Sequence, residues 1–160
     1  MQRQTIEEAM RVYGPRVDRL LAEILGRKEE AEDAAQETWF ALWRHSLRLA
    51  WSFDPWSFIR KVAVSKALDA LRRRDREVAA IAWGDIAVAE NPPAEQRIDL
   101  RSLPADERAA LVLFFYESLS IRETAAHLGV AEGTAKTWMR RGRERLKGML
   151  EREDARHELR

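Results

Sequence analysis

Residues 120–147, SIRETAAHLGVAEGTAKTWMRRGRERLK, constrain the fold more than any other stretch of this chain. Ser120 followed three residues later by Glu123 forms a capping box, which starts a helix at Ile121. The helix runs to Leu128 and stops at Gly129, the residue that takes a left-handed turn at least cost. A second helix begins near Glu132. Its apolar positions Ala135, Met139, Gly142 and Leu146 fall at spacings of four, three and four, which makes one buried stripe. The rest of its surface carries Lys136, Arg140, Arg141, Arg143, Arg145 and Lys147, with Glu144 the lone acid among them. A short helix, a tight glycine turn and a strongly basic second helix make a helix-turn-helix of the kind that enters a DNA groove. The same pattern also describes a helical hairpin whose charges only solvate it, but the lopsided charge favours DNA.

The chain has 160 residues, 46% hydrophobic and 34% charged, enough for one medium domain or two small ones. A net charge of +1 conceals a strong local pattern. Residues 44–76 hold nine Arg/Lys against three Asp/Glu, whereas 29–37 hold five acids and no base. Such clusters, not the total, set an electrostatic footprint. The absence of cysteine excludes disulfides and thiolate metal sites, and His45, His127 and His157 lack ligand spacing, so neither metal nor cofactor is expected. No nucleophile–base set or Gly-rich phosphate loop suggests an enzyme. The start MQRQTIEEAM is too polar for a signal peptide, and no apolar run is long enough for membrane insertion; a cytoplasmic protein is expected.

The remaining periodicity is helical, which predicts an all-α fold of two small helical domains on a flexible linker, the second domain being the helix-turn-helix. A first helix is expected over Thr5–Leu25, interrupted or kinked at Gly14-Pro15, with Ile6, Met10, Val17, Leu20, Leu21 and Ile24 as its apolar positions and Gly26 ending it. A second covers Glu30–Arg44, acidic at its start and basic at its end as the helix dipole favours. A loop follows over 46–55, SLRLAWSFDP, and Pro55 then opens a third helix over Trp56–Arg74. From Asp75 the pattern weakens through Pro92-Pro93, and the reading sets domains at 1–76 and 103–150, a linker at 77–102 and a tail at 151–160. Trp83, Ile81 and Ile86 in the linker are apolar enough to pack against something. Ala105–Glu117 is expected as one helix supporting the helix-turn-helix.

Two blocks carry a family resemblance. The first is EAEDAAQETWFALWR (Glu30–Arg44) followed by FIRKVAVSKALDALRRR (Phe58–Arg74); the second is LPADERAALVLFFYESLSIRETAAHLGVAEGTAKTWMRRGRERL (Leu103–Leu146). In this order, with a linker between them, they resemble the extracytoplasmic-function (ECF) sigma factors of bacterial RNA polymerase. The resemblance implies a protein that binds core RNA polymerase, recognises promoter DNA through its −10 and −35 elements, and is held in check by an anti-sigma factor.

It further implies that Asp33, Gln36 and Glu37 dock on a coiled coil of the polymerase. The spacing agrees, since Asp33 and Glu37 lie four apart on one face with Gln36 beside them; without the family, the same acids read as simple dipole complementation. For the −10 element it implies Arg44, Arg48, Trp51, Phe53, Lys61, Ser65 and Arg72, where cations follow the backbone and an aromatic receives an unstacked base. Trp51 and Phe53 suit core packing equally well. For the −35 element it implies Thr134, Lys136, Thr137, Arg140 and Arg141 in the major groove. Arg143, Arg145 and Lys147 lie a turn further on and read as phosphate, polymerase or solvent contacts. The chain departs from the family pattern at Ala131, which offers no side-chain cap, at Trp138 and Ser65, and in the make-up of the 46–55 loop. Two alternatives stay open: a sigma mimic that titrates an anti-sigma factor, and a stand-alone helix-turn-helix regulator.

Overall fold

Local capping decides where most of these helices begin and end. A computed structural model of the protein describes residues 5–46, 54–82 and 100–158. Helix α1 spans Ile6–Leu25, α2 Lys28–Ser46 and α3 Pro55–Ala82; after a 3-10 turn at Leu100–Ser102 come α4 (Ala105–Leu111), α5 (Ile121–Leu128) and α6 (Glu132–Glu158). No strand occurs among the described residues, so the fold is all-α as expected. The chain divides into two compact units, Met1–Arg72 and Arg73–Arg160.

In the first unit Thr5 and Glu8 form a reciprocal capping box, and Gly26 ends α1 at φ 69°. Of the interruption or kink expected at Gly14-Pro15, the interruption does not occur: α1 continues through Pro15. Pro15 lies on the exposed side, where water can take the carbonyl it leaves free, while Val17, Leu20, Leu21 and Ile24 are completely buried on the other side. Burying each of these side chains is worth about 1.5–3 kcal/mol, so together they offset the roughly 3 kcal/mol that proline costs. Met10, expected inward, is exposed, and Ala9 takes the buried place. Helix α2 supplies Ala34, Ala35, Trp39 and Leu42 to the core, and α3 supplies Trp56, Ile59, Val64 and Leu71. The start of α3 is held by the Asp54 carboxylate, which accepts from the Ser57 N–H at 3.3 Å. Trp56 stacks on Tyr13, and the Arg16 guanidinium sits 4.0 Å above its ring. Helix α3 runs to Ala82, eight residues beyond the expected end, into sequence read as linker. Trp83, Ile86 and the prolines lie outside the described residues.

The second unit packs α4 and α5 against α6. The segment expected as one α-helix over Ala105–Glu117 changes winding at Val112: residues Val112–Tyr116 are π-helical. The Glu117 N–H reaches the Val112 carbonyl at 3.1 Å, and the Leu119 N–H reaches that of Leu113, with Ser118 at φ 55° between them. Leu119 is thereby turned into the core. Around α5 the local reading holds. Ser120 and Glu123 make both arms of the capping box, and Gly129 closes the helix at φ 68°. At Ala131 no side chain caps α6, and its carbonyl accepts from the Thr134 and Ala135 N–H groups. Ala135 and Met139 are buried, and Gly142 faces Leu111 and Glu107 of α4 so closely that a Cβ there would lie 2.7 Å from Leu111 Cδ1. The glycine lets the two helices cross at this separation.

Candidate nucleic-acid interface and docking face

The six cations of α6 between Lys136 and Lys147 are not equivalent. Arg145 reaches across to Glu107 of α4 at 3.0 Å, and that carboxylate is almost wholly buried while the Arg145 side chain stays half exposed, so Arg145 has a structural partner besides the phosphate, polymerase or solvent contact expected. Lys147 pairs with Glu151 at 3.8 Å, and Arg140 with Glu144 at 3.0 Å. Lys136, Arg141 and Arg143 are exposed and have no partner among the described residues. Thr134 is exposed beside them, whereas Thr137 is partly buried and donates its hydroxyl to the Gly133 carbonyl at 3.0 Å. The Thr137 oxygen therefore has lone pairs to offer, and its methyl group remains as an apolar contact.

Burial of Glu107 and Arg108 has a signal in the sequence. Leu103, Glu107, Ala110 and Leu111 form a stripe spaced four, three and one, which carries Glu107 onto the apolar face. Arg108 is only 2% exposed and donates from Nη1 to the Arg101 carbonyl at 3.2 Å, which ties the 3-10 turn to α4. Together with Glu107–Arg145 it ties α4 to both the turn before it and α6.

On α2, Asp33, Gln36 and Glu37 are all exposed, as a docking face requires. Glu37 pairs with Lys66 of α3 at 3.8 Å, while Asp33 has no partner among the described residues. Two residues missed in the sequence reading extend this stripe. Phe40 and Trp43 are 60% and 56% exposed and stack on each other at 6.2 Å, and the Arg44 guanidinium lies 6.0 Å over Phe40. Positions 33, 36, 37, 40, 43 and 44 form one helical stripe: acid and amide at one end, aromatic in the middle, basic at the other end. Its signal was the spacing of Phe40, three residues after Glu37 and four after Gln36, with Trp43 three further on.

Arg44 thus belongs to α2 and shares the stripe with Asp33, Gln36 and Glu37. Lys61, Ser65 and Arg72 are exposed along α3, and Arg72 pairs with Asp69 at 3.4 Å. Arg48, Trp51 and Phe53 lie outside the described residues. No described helix is long and apolar enough to cross a membrane.

Comparison with known proteins follows the same two blocks. Residues 9–77 match the family model of Sigma-70 region 2, and residues 100–146 match Sigma-70, region 4. The ECF RNA polymerase sigma factor SigE of Mycolicibacterium smegmatis is 34% identical over 158 residues, a match covering 90% of this chain and 61% of that one. The ECF RNA polymerase sigma factor SigM of Mycobacterium tuberculosis is 31% identical over 154 residues, covering 92% of this chain and 78% of that one. Among solved structures, the sigma factor RpoE of Bartonella quintana, in complex with the anti-sigma factor NepR, superposes with a TM-score of 0.67 at 24% identity, covering 91% of this chain and 96% of that one. CnrH, in complex with the cytosolic domain of CnrY, gives 0.61 at 18% identity, covering 91% and 87%. These two structural likenesses speak for the fold.

Proposed function

The chain belongs to the ECF RNA polymerase sigma factor family, and on that premise we propose that it binds core RNA polymerase and directs initiation at promoters bearing its own −10 and −35 elements. The observation that carries the reading is the division of charge on α6. Lys136, Arg141 and Arg143 stand exposed and unpaired on the second helix of a helix-turn-helix whose packing is fixed by other residues. Unpaired cations on a rigid helix suit phosphates on either side of a groove, with Thr134, Thr137 and Arg140 facing bases.

In this reading the α2 stripe docks on a coiled coil of the polymerase. Asp33, Gln36 and Glu37 meet its basic residues, and Phe40 and Trp43 supply the apolar centre, the kind of large exposed aromatic that dominates interface energies. Lys61, Ser65 and Arg72 on α3 line the −10 strand, and Arg48, Trp51 and Phe53 complete that module. The protein contributes selection and strand opening, while bond formation belongs to the polymerase. Its place is the cytoplasm, and an anti-sigma factor is its natural antagonist, as RpoE was solved with the anti-sigma factor NepR.

The test is run-off transcription from genomic promoter fragments with core polymerase, with and without the protein. Protein-dependent transcripts from a discrete set of start sites are expected. A chain that yields no transcript on any fragment yet binds an anti-sigma factor would instead be the titrating mimic, and one that binds duplex unaided as a symmetric dimer would be a stand-alone regulator.

A further inference from the structure

Glu144 is the lone acid on α6 between Glu132 and Glu151, and its one partner among the described residues is Arg140, with Oε1 accepting from Nη1 at 3.0 Å. Both side chains are more than half exposed, so as a stabiliser of the helix the pair is worth little. The helix is held by Ala135, Met139, Gly142 and the Glu107–Arg145 bridge. A carboxylate in the middle of a DNA-facing cationic surface also lowers attraction to phosphate, so its presence calls for another account.

We propose that Glu144 is a positioning residue for base selection, acting through Arg140. The inference rests on the reading of α6 as the −35 recognition helix and deepens it. By engaging Nη1, Glu144 holds the guanidinium plane in one orientation, with Nε and Nη2 free to meet the O6 and N7 acceptors of a guanine. A long, rotamer-rich side chain then loses less freedom on binding. The same carboxylate repels the phosphate rails, which penalises the alternative in which Arg140 swings to the backbone. Lys136, Arg141 and Arg143 lack any such tether and take the phosphates. One helix surface thereby separates a base reader from its electrostatic anchors.

The experiment is selection from a randomised duplex pool by core polymerase carrying the full-length chain, as wild type, E144Q, R140Q and the double variant, with helix content checked by circular dichroism. The wild type should enrich a guanine at one −35 position. R140Q should flatten that position by about five- to hundredfold. E144Q should flatten the same position by about two- to tenfold, the share contributed by ordering one side chain, and should leave the other positions unchanged. The double variant should match R140Q. Against a random duplex without core, E144Q should bind more tightly, with a slope of log K against log salt steeper by about 0.9. Retention of the guanine preference in E144Q overturns the proposal, as does an equal loss at every position or an additive loss in the double variant. If the wild type enriches no −35 bases at all, the parent reading of α6 falls with it; an intact wild-type preference that is indifferent to E144Q sinks the Glu144 inference alone.

Discussion

Replacing Gly142 by alanine tests the α4–α6 crossing that presents the recognition helix. A Cβ at 142 would meet Leu111 Cδ1 at 2.7 Å, Leu111 Cγ at 3.3 Å and Glu107 Cβ at 3.5 Å. Leu111 is buried, so its terminal carbon has no open side to swing into. Glu107 is the residue whose carboxylate holds Arg145. Overpacking of this kind costs about 1–3 kcal/mol. Alanine also gains about 0.8–1 kcal/mol over glycine in any helix interior, which partly masks that cost. Gly148 on the same helix supplies the control, because a Cβ there meets nothing within 4 Å. Gly148→Ala should therefore stabilise the second unit by about 0.8–1 kcal/mol, while Gly142→Ala ranges from neutral to about 2 kcal/mol destabilising. Their difference, about 1–3 kcal/mol, isolates the steric contribution. Because the chain holds two compact units, a single melting midpoint would mix them. Native-state hydrogen exchange of the α5 and α6 amides reads the second unit directly. If both substitutions protect these amides equally, the close approach of α4 and α6 is wrong.

Three further outcomes are expected. Charge reversal of Asp33 and Glu37 to lysine, and separately Phe40→Ala with Trp43→Ala, should each weaken co-purification with core polymerase, the aromatic pair by at least about 2 kcal/mol, without loss of helix; wild-type retention of core by either double variant would remove that half of the docking stripe. Lys136→Ala should make the salt slope of duplex binding shallower by about 0.9, whereas Arg145→Ala should leave the slope unchanged and destabilise the second unit by about 3 kcal/mol, since it strands the buried Glu107 carboxylate; a slope change in Arg145→Ala would return that residue to the interface. Arg16→Ala should destabilise the first unit by about 1 kcal/mol or more through loss of the contact over Trp56, read by exchange of α1 and α3 amides, and unchanged exchange would show the stacking to be incidental.

The parts of this fold legible in the sequence are those decided within a few residues. The Ser120–Glu123 box, the Gly129 turn and the Ala135–Met139–Gly142 stripe are local, and the structure bears each of them out. At Pro15 local propensity left an interruption or a kink open, and a stripe buried on both sides of it keeps the helix uninterrupted. The π-winding of Val112–Tyr116 depends on delivering Leu119 to the core six residues after Leu113, a tertiary demand without a local marker. Helix α3 passes Arg74 because nothing in DREVAAIA breaks a helix; the weakening of apolar periodicity there marks loss of a buried face, and Val78 is indeed exposed. For the candidate sites, sequence gave the residue types and their helices. Which cations were free was beyond it, since Glu107, the partner of Arg145, lies 38 positions earlier (145 − 107) on another helix.

The pairing of charges on α6 bears on how the protein can act. Counting every cation from Lys136 to Lys147 suggests a helix able to hold duplex DNA by itself, but three of those six are tied to carboxylates. The remaining three neutralise about three phosphates, for a salt slope of about −2.7 (3 × 0.9) and an affinity at the weak end of non-specific binding. The anionic and aromatic face of α2, by contrast, is repelled by DNA and suited to a protein. Each face alone is therefore a poor promoter ligand. In the proposed reading, with α2 docked on core polymerase, α6 meets the −35 duplex at the high local concentration of a linked site, and two weak contacts on one chain become a strong one. Promoter recognition then depends on the polymerase being bound first, and the free chain should leave genomic DNA largely unoccupied. Footprinting the −35 element with the chain at micromolar concentration, without and then with core polymerase, decides this: protection without core would show that the paired arginines of α6 release their carboxylates on meeting DNA.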